Sequence, residues 1–329
     1  MTGWHLGERP PKVSIIIVSQ GKNDYLWQLL DSIAKQAYND YEVIIIDNSL
    51  NPRFSQEISN RHPAYKLYSA SENLFYCQAL NKGIMMSKGE YLLCLNDDII
   101  LDKEFIEKAL KGFSVDKKIG MVSGKILRSD GKTIDSTGLF LSGWRTAQER
   151  GYGRKDKGQF ERMGYIFGVN GAVAFYRREM LEQVKLGTEY FDTDFGFFYE
   201  DLDIAWRAQR LDWRGYYVPG AIAYHVRGGT ARKDRGLNKR FARRFLSDGL
   251  HFDLIKNRYL AIAKNDSLPG FLMHLPLIIF YDLLAWAYIL FFRASLIKKM
   301  FQKRIPLGAA FKKRKSLGTF LDSIERVSP

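Results

Sequence analysis

From Tyr91 to Ile100 the chain reads Tyr-Leu-Leu-Cys-Leu-Asn-Asp-Asp-Ile-Ile, an apolar run that stops abruptly in an amide and two carboxylates. Bounded by Lys88-Gly89-Glu90 on one side and acid on the other, it reads as a strand buried on both faces, which is the pattern of a parallel sheet. A strand with no solvent face needs helices above and below, so the neighbouring chain is expected to alternate strand and helix. It does. Val13 to Ser19 is an unbroken, mostly β-branched run directly after Pro10-Pro11 and Lys12, and Tyr41 to Ile46 repeats the pattern and ends in Asp47-Asn48-Ser49. Lys66 to Ser69 is a weaker third strand. Leu26, Leu29, Leu30 and Ile33 form one helical stripe, and Cys77, Leu80 and Ile84 form another that closes at Lys88-Gly89. The economical architecture is a doubly wound α/β fold with a mostly parallel sheet, whose ligands bind at the carboxyl edge of the strands. Asp47, Asn96, Asp97 and Asp98 are all delivered to that edge.

Adjacent carboxylates repel unless water or a cation neutralises them, so Asn96-Asp97-Asp98 suggests a hard divalent ion on oxygen ligands. The alternative is a helix cap for Phe105 to Phe113. Further on, Ile119 to Leu127 is another strand, and Gly131 to Gly143 has the turn chemistry of a hairpin, the small antiparallel part of the sheet. Trp144 to Gly164 reads as a mobile loop of the kind that covers a site. Tyr165 to Tyr176 is a strand and Arg177 to Val184 a short helix. A Phe-rich passage then leads to Glu200, Asp201 and Asp203 in the first turn of a helix striped by Ile204, Ala205, Ala208 and Leu211. Helix capping explains one acid; three acids among Phe195, Phe197, Phe198 and Tyr199 fit better with a partly desolvated base. His225 lies in a short β run and is either a satisfied core residue or a ligand. The Arg227-Gly228-Gly229-Thr230 loop after it has the composition of a phosphate-binding turn.

The chain has 329 residues and a net charge of +14, so an anionic partner is expected. Its basic residues gather in the tail rather than interleaving with aromatics on a recognisable module, so nucleic acid is not the expected partner. Two cysteines, Cys77 and Cys94, in apolar contexts suit a reducing compartment, and Met1 to Lys12 has no hydrophobic run of a signal peptide. Residues 1–230 are read as the catalytic domain and 231–329 as a basic and apolar helical tail. In that tail Phe271 to Phe292 is long enough to cross a bilayer, while Asp282, His274 and Pro276 argue against a simple span. Nine Lys or Arg with no acid follow between Arg293 and Lys315. A helical pair in the interface of an anionic membrane accounts for both signals. A true span, a buried helix and a homo-oligomer contact remain open.

These pieces in this order resemble the family 2 glycosyltransferases, the inverting enzymes of the GT-A fold, and more closely a bacterial branch containing rhamnosyltransferases of cell-surface polysaccharide assembly. The residues that carry the resemblance are Ser14-Ile-Ile-Ile-Val-Ser19, Val43-Ile-Ile-Ile-Asp47-Asn48-Ser49, Glu72-Asn73 with Ala79-Leu-Asn81-Lys-Gly83-Ile84, Leu95-Asn96-Asp97-Asp98, Gly171-Ala172, and Phe198-Tyr-Glu200-Asp201-Leu-Asp203 with Arg207, Pro219 and His225. It covers roughly residues 12 to 260. By position it implies Asp201 as catalytic base with Glu200 beside it. It also implies Asp98 and His225 as ligands of Mg²⁺ or Mn²⁺, and Ser19, Asp47, Asn73, Asn96, Asp97 and Arg227 on the donor side. Asn96 replaces the first acid of the Asp-x-Asp motif and leaves fewer charges on the ion. The implied partners are a dTDP- or UDP-linked sugar, with dTDP-rhamnose first, and a lipid-linked or oligosaccharide acceptor. The implied location is the cytoplasmic face of a bacterial inner membrane, peripheral or monotopic.

Three rivals stand beside single-sugar transfer, the first a basic nucleic-acid-binding protein that would explain the charge. Processive polysaccharide synthases of the same family carry Gln-x-x-Arg-Trp, whereas Gln209-Arg-Leu-Asp212-Trp213 has Asp in place of that Arg and falls close to Asp201. A catalytically silent scaffold would keep the fold without turnover.

Overall fold

The computed structural model describes residues 9–21, 24–227, 247–297 and 305–315. The first half forms β1 (Val13–Ser19), α1 (Tyr25–Ala34), β2 (Tyr41–Asp47), α2 (Pro52–Arg61), β3 (Lys66–Ser69), α3 (Phe75–Met86), β4 (Tyr91–Asn96), β5 (Ile99–Leu101), α4 (Phe105–Phe113) and β6 (Ile119–Arg128). The second half follows with β7 (Ile134–Ser136), β8 (Leu139–Leu141), β9 (Ala147–Glu149), β10 (Gly164–Ile166), β11 (Val173–Arg177), α5 (Arg178–Val184), α6 (Glu200–Arg210), β12 (Arg214–His225), α7 (Asp248–Asn265) and α8 (Leu268–Phe292).

One sheet organises the molecule, in the order β10-β12-β6-β11-β4-β1-β2-β3, with β5 added to β12 and β7 to β6. β1 pairs in parallel with β2 and β4, and β2 with β3, while β11 enters antiparallel between β4 and β6. Alternation decides the packing. Ile16, Val18, Ile44, Leu92 and Cys94 point into a core shared with α3, α5 and α6, and Ile15, Ile17, Val43, Leu93 and Leu95 into a second core under α1 and α4. Each such side chain contributes roughly 1.5–3 kcal/mol by leaving water, which is why these strands are apolar on both faces. The strand ends therefore carry the polar residues, all at one edge.

The stretch 131–143 does not fold back on itself. Asp130 accepts hydrogen bonds from Lys132 N and Thr133 N, closing a turn that pairs β7 with β6, and β8 pairs instead with β9. Nor is 144–164 a free flap. Trp144 stacks on Phe280 of α8, β9 lies within the stretch, and Lys125 holds Asp156 and Glu161 near its far end.

The tail expected from residue 231 divides in two. α7 is built into the body of the fold: its Lys264 is fully buried against Asp192 and Asp203, and its Asn257 donates to the carbonyls of Phe197 and Phe198 at 2.8 and 2.7 Å. α8 runs back along α7, fastened at its start by Arg145–Asp266 (2.6 Å), midway by Arg258–Asp282 and at its end by Arg293–Asp248 (3.0 Å). Asp282 is tolerated in an apolar helix because Arg258 neutralises it. The outward side remains bare, with Met273 76% and Phe291 77% exposed. Residues 307–315 return to the body, where Lys313 bonds Asp192 and Asp194.

Candidate active site

The ends of β1, β2 and β4 form one wall of the candidate site. Asp47, the last residue of β2, is buried and accepts from Ser49 N at 2.9 Å and from the Ser55 hydroxyl. It borders a cleft of about 480 Å³ lined also by Ser55, Gln56, Leu67, Ser69 and Ser71. Gly21, at φ +61°, lets the chain after β1 pass Ser49; a Cβ there would meet Ser49 Cβ at 2.7 Å. Asn73 Oδ1 accepts from Asn48 Nδ2 at 3.0 Å, tying the loop before α3 to the same edge. Ser19 donates to Asp97 Oδ2 at 2.7 Å. Burial raises the pKa of Asp97, the Ser19 hydrogen bond opposes this, and the Asp98 charge adds to it.

Asp98 and His225 meet because β12 pairs with β5 and Val226 N donates to the Asp98 carbonyl at 2.9 Å. Asp98 Oδ1 lies 3.3 Å from His225 Nε2, and Asp135 Oδ2 lies 2.8 Å from Nδ1. Burial alone would lower the pKa of the ring, but hydrogen bonds to Asp135 and Asp98 raise it to about 9. Asp135 shows the converse: burial opposes ionisation, yet His225 and Arg227 hold it at about 2. A carboxylate behind an imidazole is the usual backing of a metal-ligand histidine. Asp98 and His225 thus fit one side of a Mg²⁺ or Mn²⁺ site, with the remaining positions suited to substrate phosphate and water. Among the described residues no three His, Cys, Asp or Glu side chains gather as a ready-made cage. Arg227 is engaged by Asp135, its Nε 2.7 Å from Oδ1, and the glycines after it lie outside the described residues.

The opposite wall is the start of α6. Phe198 and Tyr199 both have positive φ, 72° and 70°, a strained approach that the Asn257 hydrogen bonds to the carbonyls of Phe197 and Phe198 hold in place. Asp201 Oδ2 accepts from Gly171 N at 3.1 Å and Oδ1 from Leu202 N at 2.7 Å. Burial raises the pKa of Asp201 against those two N–H groups, and burial plus the Asp201 charge raises that of Glu200. Asp203 points elsewhere, to Arg207 at 3.0 Å and Lys264 at 2.7 Å, and is part of the core.

The walls are joined at Gly171. Its Cα packs directly beneath both acids: a Cβ there would lie in ordinary contact with Glu200 Oε1 at 3.4 Å and Asp201 Oδ2 at 3.5 Å. Ala172 O accepts from Asn96 N at 3.0 Å, and Tyr76 Oη lies 2.9 Å from both Asn96 Oδ1 and Gly171 O. Tyrosine has one proton to give, so turning the Asn96 amide over completes a chain from Asn96 NH₂ through Tyr76 to Gly171 O. The structure therefore brings Asn96 and Asp201 to one turn. Tyr76, Asp135, Glu149 and Asn170 also belong here, and no local pattern distinguishes them: Glu149 lies in a stretch with the composition of a loop.

The model of glycosyl transferase family 2 matches residues 14–185, more than half of the chain and including β1, β2, β4 and the Gly171 turn. The chain belongs to glycosyl transferase family 2. Among curated relatives of this family 2 member is the poly-β-1,6-N-acetyl-D-glucosamine synthase of Staphylococcus epidermidis, 22% identical over 214 residues, which are 64% of this chain and 49% of that protein. The Staphylococcus aureus enzyme of the same name (strain MSSA476) is 21% identical over 214 residues, again 64% and 49%. The chain thus spans about half the length of the curated relatives it matches. Among solved structures, GalNAc-T7 with UDP, GalNAc and Mn²⁺ superposes with a TM-score of 0.57 at 14% identity, covering 79% of this chain and 49% of that one. The shared fold is GT-A.

Proposed function

We propose that this protein is an inverting glycosyltransferase that moves a sugar from a nucleotide diphosphate to a hydroxyl of a lipid-linked or polysaccharide acceptor. The observation that carries the reading is the convergence of Asn96 and Asp201 on the Gly171 turn. The nucleotide lies along the ends of β1 and β2, its base toward Asp47 and Asn73. Asp201, with Glu200 beside it, takes the proton from the acceptor hydroxyl; the oxygen attacks the anomeric carbon, and the bond to the diphosphate breaks with its electron pair leaving on the phosphate oxygen. Held by two N–H groups in a desolvated place, the base is oriented before the acceptor arrives. Mg²⁺ or Mn²⁺ bound at Asp98 and His225 supplies positive charge for the diphosphate.

The donor we favour is dTDP-rhamnose, from the resemblance to rhamnosyltransferases, with UDP-linked hexoses next. A processive synthase is the second reading, favoured by the names of the relatives; Gln209 and Trp213 are at the far end of α6 from Asp201, where they bond Phe167 O and Gln183. The bare side of α8 and the basic residues that follow it in the sequence support a monotopic attachment to the cytoplasmic face of a membrane. The test offers purified protein a panel of nucleotide sugars with and without Mn²⁺ and measures nucleoside diphosphate release and product length. Asp98→Ala and Asp201→Asn should each lower release at least ~100-fold. Wild-type rates in either would remove the assignment, and long products would favour the synthase.

A further inference from the structure

The groups that hold Asp201 lead back to a third carboxyl. Glu149 Oε1 accepts from Asn170 Nδ2 at 2.7 Å, and Oε2 bonds the Ser136 hydroxyl. Asn170 Oδ1 accepts in turn from Ala172 N at 2.8 Å, and Gly171 between them touches Asp201 and Tyr76. We propose that Glu149 is a positioning residue of the transfer site, a clamp on the Asn170–Gly171–Ala172 turn that keeps the Gly171 N–H on Asp201 and the Ala172 carbonyl on Asn96. The proposal rests on Asp201 as the base.

Three observations support it. Glu149 is the last residue of β9 in a separate two-stranded hairpin with β8, and its side chain adds a second tie to the turn beside the Leu139–Gly168 backbone pair at 2.9 and 3.1 Å. A carboxyl satisfies both ends at once, one oxygen for an amide and one for a hydroxyl, and Ser136 Oγ is fixed by Gly138 N at 3.1 Å. Burial first, then the charges of Asp201 on α6 and Asp135 on β7, push Glu149 up to about 8. The other charged group facing it, Arg227 at the end of β12, is engaged by Asp135. Burial and these charges therefore favour the uncharged form of Glu149 at neutral pH and leave the negative charge to Asp201, with Oε2 paired to the Ser136 hydroxyl.

The experiment compares Glu149→Gln, Glu149→Ala and Asn170→Ala. Glutamine keeps an acceptor for Asn170 and a donor for Ser136, so kcat should stay within about threefold at pH 7, and any loss of rate above about pH 8 should disappear. Alanine at either position should lower kcat about 30- to 100-fold, the size of a small misplacement of reacting groups. KM for the sugar nucleotide and binding of UDP or dTDP with Mn²⁺ should stay within about threefold. Hydrogen exchange of a peptide containing Gly171 should quicken in Glu149→Ala and recover in Glu149→Gln. Wild-type kcat in Glu149→Ala, unchanged exchange there, or a Glu149→Gln variant as slow as Glu149→Ala would each overturn the clamp. If no nucleotide sugar is consumed by the wild type, the transferase reading fails instead, and exchange alone decides the clamp.

Discussion

On what we propose as the donor wall, Asp47, Asp97 and Asp98 stand at or just beyond strand ends, and each meets a polar partner at the same sheet edge: Ser49 N and Ser55 for Asp47, Ser19 at the end of β1 for Asp97, His225 at the end of β12 for Asp98. On what we propose as the base wall, Glu200, Asp201 and Glu149 come from a helix and a hairpin and are held by groups that lie outside the sheet, through Asn257, Gly171 and Asn170. The sheet itself places the first set. Tertiary clamps place the second, and one of them, Asn257, belongs to α7. The base wall should therefore be sensitive to substitutions that touch no substrate, and the donor wall much less so.

The strongest way to break this contrast is Lys264→Ala, which leaves Asp192 and Asp203 without the ammonium they share in the core. Loss of one partner of a buried ion pair costs about 3–5 kcal/mol, to be read from urea unfolding. A wild-type midpoint would mean that α7 does not hold the base wall. Next in size is the pH dependence of Mn²⁺ binding. His225 is raised from 6.5 to about 9, so its contribution to the metal-free fold is full below about 6.5 and is lost as pH rises through about 9. A divalent ion needs the neutral ring, so Mn²⁺ affinity should climb about tenfold per pH unit from 7 to 9 and then level off. A flat profile by paramagnetic resonance would remove His225 from the ligand set. The smallest effects sharpen the comparison as a pair. Asn257→Ala frees the strained turn before Asp201 and should lower kcat roughly tenfold with KM unchanged, whereas Ser55→Ala should raise donor KM a few-fold with kcat unchanged. Reversed signatures would exchange the roles of the two walls.

The same division explains what could be read from the residues alone. β1, β2 and β4 are apolar on both faces, so their ends, and with them Asp47, Asp97 and Asp98, are visible in the sequence. Glu200 and Asp201 are visible from the stripe of α6, but Asp203 is not separable from them. It lies about 200° around the helix from Asp201, and only the position of Lys264 reveals that it faces the core. Tyr76, Asp135, Glu149 and Asn170 acquire their roles from partners on other elements, which no local spacing records. The apolar character of α8 is plain in its composition, whereas its alignment along α7 depends on Arg258 finding Asp282 24 residues away.

That alignment has a mechanical side. A helix secured at its start, middle and end behaves like a runner bolted under a sled: it cannot tilt or rotate by itself, so any plane it rested on would set the pose of the entire molecule. The height and heading of the catalytic mouth above a lipid surface would then be a constant of the fold rather than a variable of a tether. Only acceptors whose hydroxyl projects to that height could be glycosylated, and selectivity for chain length would arise from distance, with no contact needed to measure it.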